Sequence, residues 1–195
     1  MKLRQASFLG SLLLLGFLTL PVPAGDTYKI DANHSSILFS VKHFGAGLYY
    51  GRFNDAEGKI VFDESNPAAT EFQISVKTES VDTHNDRRDK HLRSPEFFNA
   101  VQFPEVTFES KSVKVEGGSM MVSGSLSMLG KTNDVTFKVE NIGSGNDPWG
   151  NFRRGFHATA TIKRSEWGMN WGLDNGALSD EVHLIISMES VKEKE

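Results

Sequence analysis

Phe156-His157-Ala158-Thr159-Ala160-Thr161-Ile162-Lys163 alternates apolar and polar residues without a break. Period two is the signature of a β-strand with one face buried, because successive side chains leave a strand on opposite sides. The same alternation sets Val135, Phe137 and Val139 against Thr136, Lys138 and Glu140. It sets Phe72, Ile74 and Val76 against Gln73, Ser75 and Lys77, and Ile37, Phe39 and Val41 against Leu38, Ser40 and Lys42. Val182, Leu184, Ile186 and Met188 close the series, and shorter runs at 60–62, 106–115 and 120–128 fit it. Turn residues stand between the runs: Glu116-Gly117-Gly118-Ser119, Leu129-Gly130-Lys131-Thr132, and Gly143 to Gly150 with Asp147-Pro148. About eight strands in series with short links predict an all-β fold, an antiparallel meander closed into a barrel.

One segment departs from this rhythm. Thr83-His84-Asn85-Asp86 reads as a capping box with Thr83 as the cap. Asp86/Lys90 and Asp89/Arg93 at i,i+4 then support a short helix over 86–93. Ser94-Pro95 predicts the start of a second short helix that turns Phe97 and Phe98 inward. The expected fold is therefore a barrel with a short helical insert near mid-chain, placed to plug one end.

The 195 residues are 38% hydrophobic and 24% charged, with 18 Gly and 14 Phe, which excludes a disordered chain or a collagen. Acidic residues outnumber basic ones, 25 to 21, so nucleic acid is not an expected partner. There is no cysteine, which removes disulfides, thiolate metal sites, Cys nucleophiles and cysteine-linked lipid anchors. Lys2 and Arg4 precede an apolar run from Ala6 to Leu20, and Val22 and Ala24 then stand at −3 and −1 of a small-residue cleavage site. This is the plan of a secretory signal peptide over 1–24, and the run is shorter than the ~20 residues that cross a bilayer. The expected mature chain, 25–195, is one domain without a further hydrophobic span, in the periplasm or the medium. Alternation alone also fits a lipid-facing barrel. The helical insert, the charged tail Lys192-Glu193-Lys194-Glu195 and the lack of paired aromatic girdles argue against one.

An eight-stranded barrel is just wide enough to be filled by side chains or to hold one small ligand. The inward row Phe156, Ala158, Ala160, Ile162 carries two alanines, which leave room, yet pattern alone does not separate a packed core from a cavity. The six histidines show no metal-binding spacing; His43 shares the parity of Val41 and is expected at a pocket mouth, while His157 and His183 face away. No G-x-S-x-G elbow or H-E-x-x-H pair occurs, and Ser179, Asp180 and His183 are sequence neighbours rather than a catalytic geometry. Neither an enzyme nor a cofactor is expected.

His34-Ser35-Ser36-Ile37-Leu38-Phe39-Ser40-Val41-Lys42-His43, Ser80-Val81-Asp82-Thr83, Arg88-Asp89-Lys90-His91-Leu92-Arg93-Ser94, Phe97-Phe98, Phe103-Pro104 and Ile162-Lys163-Arg164-Ser165-Glu166-Trp167-Gly168 occur in that order. Together they resemble the YceI-like family of bacterial periplasmic lipocalin-like proteins, over about Tyr28 to Val191. Trp167 stands where that family often has Phe, and Lys131 where a β-branched residue is common. The resemblance implies an eight-stranded lipocalin-like barrel, often dimeric, with a long apolar pocket for an extended amphiphile such as a quinone tail or a prenyl phosphate. The expected ligand-binding residues are Phe39, Val41, His43, Phe72, Ile74, Phe137, Phe156, Ala158, Ala160, Ile162, Trp167 and Leu184. Trp171 and Met169 join Trp167 at the expected entrance, although packing under the loop over 168–180 explains them equally. Arg88, His91 and Arg93, with Arg87 and Lys90, form a basic cluster suited to a phosphate headgroup; the alternative is that Arg88, Asp89 and His91 tie the insert to the barrel while Arg87 and Lys90 are solvated. Two other functions remain open from sequence: a scavenger of drugs or fatty amides, and an enzyme or metal protein using the histidines.

Overall fold

The computed structural model describes residues 25–194. The signal peptide expected over 1–24 lies outside the described residues. Eleven strands form one antiparallel sheet: β1 Asp26–Ile30, β2 Ser36–His43, β3 Gly47–Phe53, β4 Ala56–Phe62, β5 Glu71–Lys77, β6 Val81–Asp82, β7 Glu105–Glu116, β8 Ser119–Met128, β9 Lys131–Asn146, β10 Phe152–Lys163 and β11 Leu178–Lys192.

Three pairs of these are single staves interrupted by a short turn. β1 and β2 lie end to end along β11, with Ile30 opposite Ser190 and Ile37 opposite Ile186. β3 continues into β4, and β5 into β6 across a 3₁₀ turn at Thr78–Ser80. Eight staves result, and β11 closes the ring because it pairs with both β10 and β1. The expected eight-stranded antiparallel barrel is the fold observed.

Two Gly-containing links make two-residue hairpins. Gly117 and Gly118 have φ of 56° and 83°, the left-handed backbone a tight antiparallel turn demands. At Leu129-Gly130 a leucine takes φ 53° beside the glycine's 72°; Lys131 and Thr132, expected in the turn, already belong to β9. The expected turn over 143–150 is likewise shorter. β9 runs on to Asn146, because Gly145 and Asn146 pair with Arg153 and Phe152 of β10. Pairing with a neighbour overrides the weak strand preference of glycine. Asp147 makes the turn itself, accepting from the backbone N–H of Trp149 (3.0 Å) and Asn151 (2.8 Å).

The insert holds one helix, α1, Asp86–Leu92. Its N-cap is Asn85, whose side chain accepts from Arg88 N–H at 3.0 Å, and not Thr83. Thr83 instead donates its backbone N–H (2.9 Å) and its hydroxyl to buried Asp89. That contact takes Asp89 away from the expected Arg93 pair, and Asp86 and Lys90 form no ion pair among the described residues. The second helix does not form. Ser94 starts a chain of turns, its carbonyl accepting from Phe97 N–H and Asn99 N–H. Phe97 is nonetheless buried, and Leu92, Phe97 and Phe98 close over one end of the barrel.

Candidate ligand cavity

The staves' inward side chains do not fill the barrel. They surround a cavity of about 170 Å³ whose exposed wall is apolar throughout. By the measure in which one water takes ~10–15 Å³, that is room for about a dozen waters, in a place where no polar atom is exposed to hold them. The expected residues Phe39, Val41, Phe72, Ile74, Phe137, Ala158, Ile162 and Leu184 all lie on this wall. Phe53, Val76, Phe108, Leu126, Met128 and Met169 extend it, and Leu92, Phe97 and Phe98 cap it from the insert.

Four expected residues stand off the wall. Phe156 is fully buried at the base, edge-on to Phe62 (5.5 Å between centroids) and Phe72 (5.7 Å). These three rings form a plug that ends the cavity. Trp167 is buried too, its indole N–H donating to the Leu126 carbonyl at 3.1 Å. Ala160 packs against the core, and His43 lies at the β2–β3 tip against the rings of Phe44 (4.4 Å) and Tyr49 (4.9 Å). Trp171 leans on His91 (5.1 Å) and Phe97 (5.4 Å) above the cap.

The basic cluster is held by structure. Arg88 donates to the Thr83 hydroxyl (2.7 Å) and carbonyl (2.6 Å), and its guanidinium covers the Tyr49 ring at 5.0 Å. Arg93 donates to the carbonyls of Glu79 (2.7 Å) and Val81 (2.9 Å), so Arg93 fastens the insert to β6 and the turn before it, while Arg88 ties the helix to Thr83 and to Tyr49 of β3. His91 pairs with Glu96 at 2.5 Å. Arg87 and Lys90 are exposed.

Two buried arginines were not singled out by the sequence reading. Arg164 borders the cavity, but its nitrogens donate to the carbonyls of Ser179 (2.9 Å), Met169 (2.8 Å) and Leu178 (3.2 Å), knitting the β10–β11 loop. Burial lowers its pKa from the usual arginine value. Arg154 points into the base of the barrel, and its signal was present: it extends the inward row Phe156, Ala158, Ala160 by two residues.

Ser179, Asp180 and His183 are not a triad. Ser179 donates to the Glu181 carbonyl, Asp180 accepts from Ser165 N–H and hydroxyl, and His183 bonds Thr161. Among the described residues one cluster has metal-ligand chemistry, Asp31, His34 and Glu189. A guanidinium nitrogen of Arg153 already bridges Asp31 (2.8 Å) and Glu189 (2.6 Å) there.

Comparison with known proteins settles the family. The family model for the YceI-like domain matches residues 28–190. The chain belongs to the YceI-like family. It is 43% identical to Protein YceI of Escherichia coli over 190 residues, covering 94% of this chain and 98% of that one. It is 45% identical to a UPF0312 protein of Pseudomonas aeruginosa over 168 residues, 85% and 87% of the two chains. The fold matches Burkholderia cenocepacia BcnA with a TM-score of 0.75 at 23% identity, covering 82% of this chain and 98% of that one. It also matches a polyisoprenoid binding domain from Saccharophagus degradans implicated in plant cell wall breakdown, with a TM-score of 0.64 at 17% identity and coverage of 85% and 98%. These likenesses support the closed barrel and the family to which the chain belongs.

Proposed function

We propose that the protein carries or sequesters an isoprenoid-like amphiphile, in the periplasm, with the tail inside the barrel. The observation that carries this reading is the apolar cavity, enclosed by β-staves, plugged at the base by aromatic rings and capped by the insert. Burying apolar carbon is worth ~0.8 kcal/mol per CH₂, so each five-carbon isoprene unit offers roughly 3–4 kcal/mol before binding costs. A few units suffice without any polar contact, and a wall that exposes no polar atom selects for a tail, not a headgroup. The Saccharophagus degradans domain of the same fold, which is described as polyisoprenoid binding, supports the choice of tail. The Val22/Ala24 cleavage site supports export.

The test is organic extraction of the purified protein followed by mass spectrometry. A prenyl lipid in near-stoichiometric amount is the expected result, and Ala158→Phe, which fills the cavity from its wall, lowers that amount several-fold while the barrel still folds. A heterogeneous mixture of apolar compounds would make the protein a scavenger. Parent-level lipid in a folded Ala158→Phe protein would place the ligand elsewhere.

A further inference from the structure

Arg154 is the charged side chain that the barrel fold does not account for. It is 3% exposed, and its guanidinium lies over the rings of Phe62 (4.4 Å) and Tyr28 (5.7 Å). Among the described residues its Nε has no hydrogen-bond partner. Its single ion pair among them is one Nη2 contact of 3.3 Å to Glu64, a side chain 80% exposed. A buried guanidinium with an idle N–H is costly, and arginine's fork is shaped to hold a carboxylate by two parallel bonds, not one.

These groups line a recess at the base end of the barrel, together with Asp26, Phe152 and Lys192. The Phe62–Phe156–Phe72 plug separates the recess from the apolar cavity. We propose that the recess is a second ligand site, which takes a small carboxylate on the Arg154 guanidinium. The ligand displaces Glu64 from Nη2 and engages Nε beside it. Glu64 itself shows the chemistry this arginine accepts, and its exposure leaves it free to swing away. A carboxylate fits better than a phosphate dianion, because Glu64 and Asp26 are both on the rim and Lys192 is already paired with Asp26 at 2.7 Å.

The site is independent of tail binding, so the two readings fail separately. In the test, the Arg154 Nε–H resonance of the ¹⁵N-labelled protein is followed during titration with acetate, inorganic phosphate or chloride at constant ionic strength. The expected result is a saturable shift with acetate and none with chloride. Glu64→Ala tightens acetate binding several-fold by removing the competing carboxylate. Arg154→Gln, followed through the backbone N–H resonances of Tyr28 and Phe152 on the recess wall, which also shift with acetate in the parent, abolishes the acetate response and leaves the extractable lipid unchanged. If Arg154→Gln does not fold, the Glu64→Ala comparison decides alone. No saturable shift, an equal shift with chloride, or no gain in Glu64→Ala overturns the site. Phosphate binding tighter than acetate overturns the assignment to carboxylates.

Discussion

Asp31 stands where stave one breaks between β1 and β2, and it holds the break together. Its carboxylate takes Asn33 N–H, His34 Nδ1 and Arg153 Nη1, while Arg153 also reaches Asp147 and Glu189. The bond from Arg153, then that from His34, lowers the Asp31 pKa from 3.8 to about 2. A carboxyl depressed on folding stabilises the fold fully above its unfolded value, and that contribution disappears as pH falls through the folded one. The shift corresponds to at most about 2 kcal/mol, less what solvent screening removes so near the surface. Urea midpoints measured from neutral pH down to about 2 should therefore drop between 3.8 and 2, and Asp31→Asn should flatten that part of the profile. A second residue-scale dependence concerns Gly51, which faces Phe39 across β2 and β3. A Cβ on Gly51 would lie 2.2 Å from the tip of the Phe39 ring, so Gly51→Val must push that ring into the cavity. Overpacking of this kind costs about 1–3 kcal/mol. Thermal melts should show that loss, and the variant should retain less lipid than the parent.

At the scale of elements, the insert depends on Thr83, which binds Asp89 and Arg88 at once. Arg88→Gln should lower the melting temperature and leave the preference between a prenyl phosphate and the matching prenyl alcohol untouched. A selective loss of phosphate binding at unchanged stability would give Arg88 a headgroup role instead. The strands were legible in sequence because a half-buried sheet imposes period two residue by residue. The insert was legible as a helix but not in its capping. Thr83 and Asn85 are both good caps, and the choice between them turns on Asp89, a contact that spacing does not reveal. Gly143 to Asn146 read as a turn because glycine and asparagine favour turns, while their strand state depends on β10 across the ladder. The cavity was half legible. Parity put Phe39, Ile74 and Ala158 on one face, but only the three-ring plug shows where the space ends. The row from Phe156, extended back by two residues, puts Arg154 on the apolar face, a conflict between residue and position that went unread in the sequence.

For the whole molecule, the seam that closes the ring along β11 has a long part, seven rungs to β2, and a short part, three rungs to β1. β1 meets β11 through Tyr28–Lys192, Lys29–Val191 and Ile30–Ser190, and the Ser190 hydroxyl donates to the Arg154 carbonyl at 2.9 Å. Truncation after Met188 removes all of these. Unfolding followed by hydrogen exchange should then lose cooperativity, with β1 and β4 exchanging early while β7 to β10 stay protected. A single sharp transition at the parent's midpoint would show that the β1 part of the seam contributes little. The same geometry sets an order in time. The stave that seals the ring is the last one synthesised, and it contacts the first, β1, as well as β10. A chain leaving a ribosome or a translocon N-terminus first therefore remains an open, two-edged sheet until β11 emerges. Its apolar concave face stays uncovered through that interval. A chaperone has its opportunity during those seconds, and a hydrophobic guest can be enclosed by the closing wall rather than threaded through it.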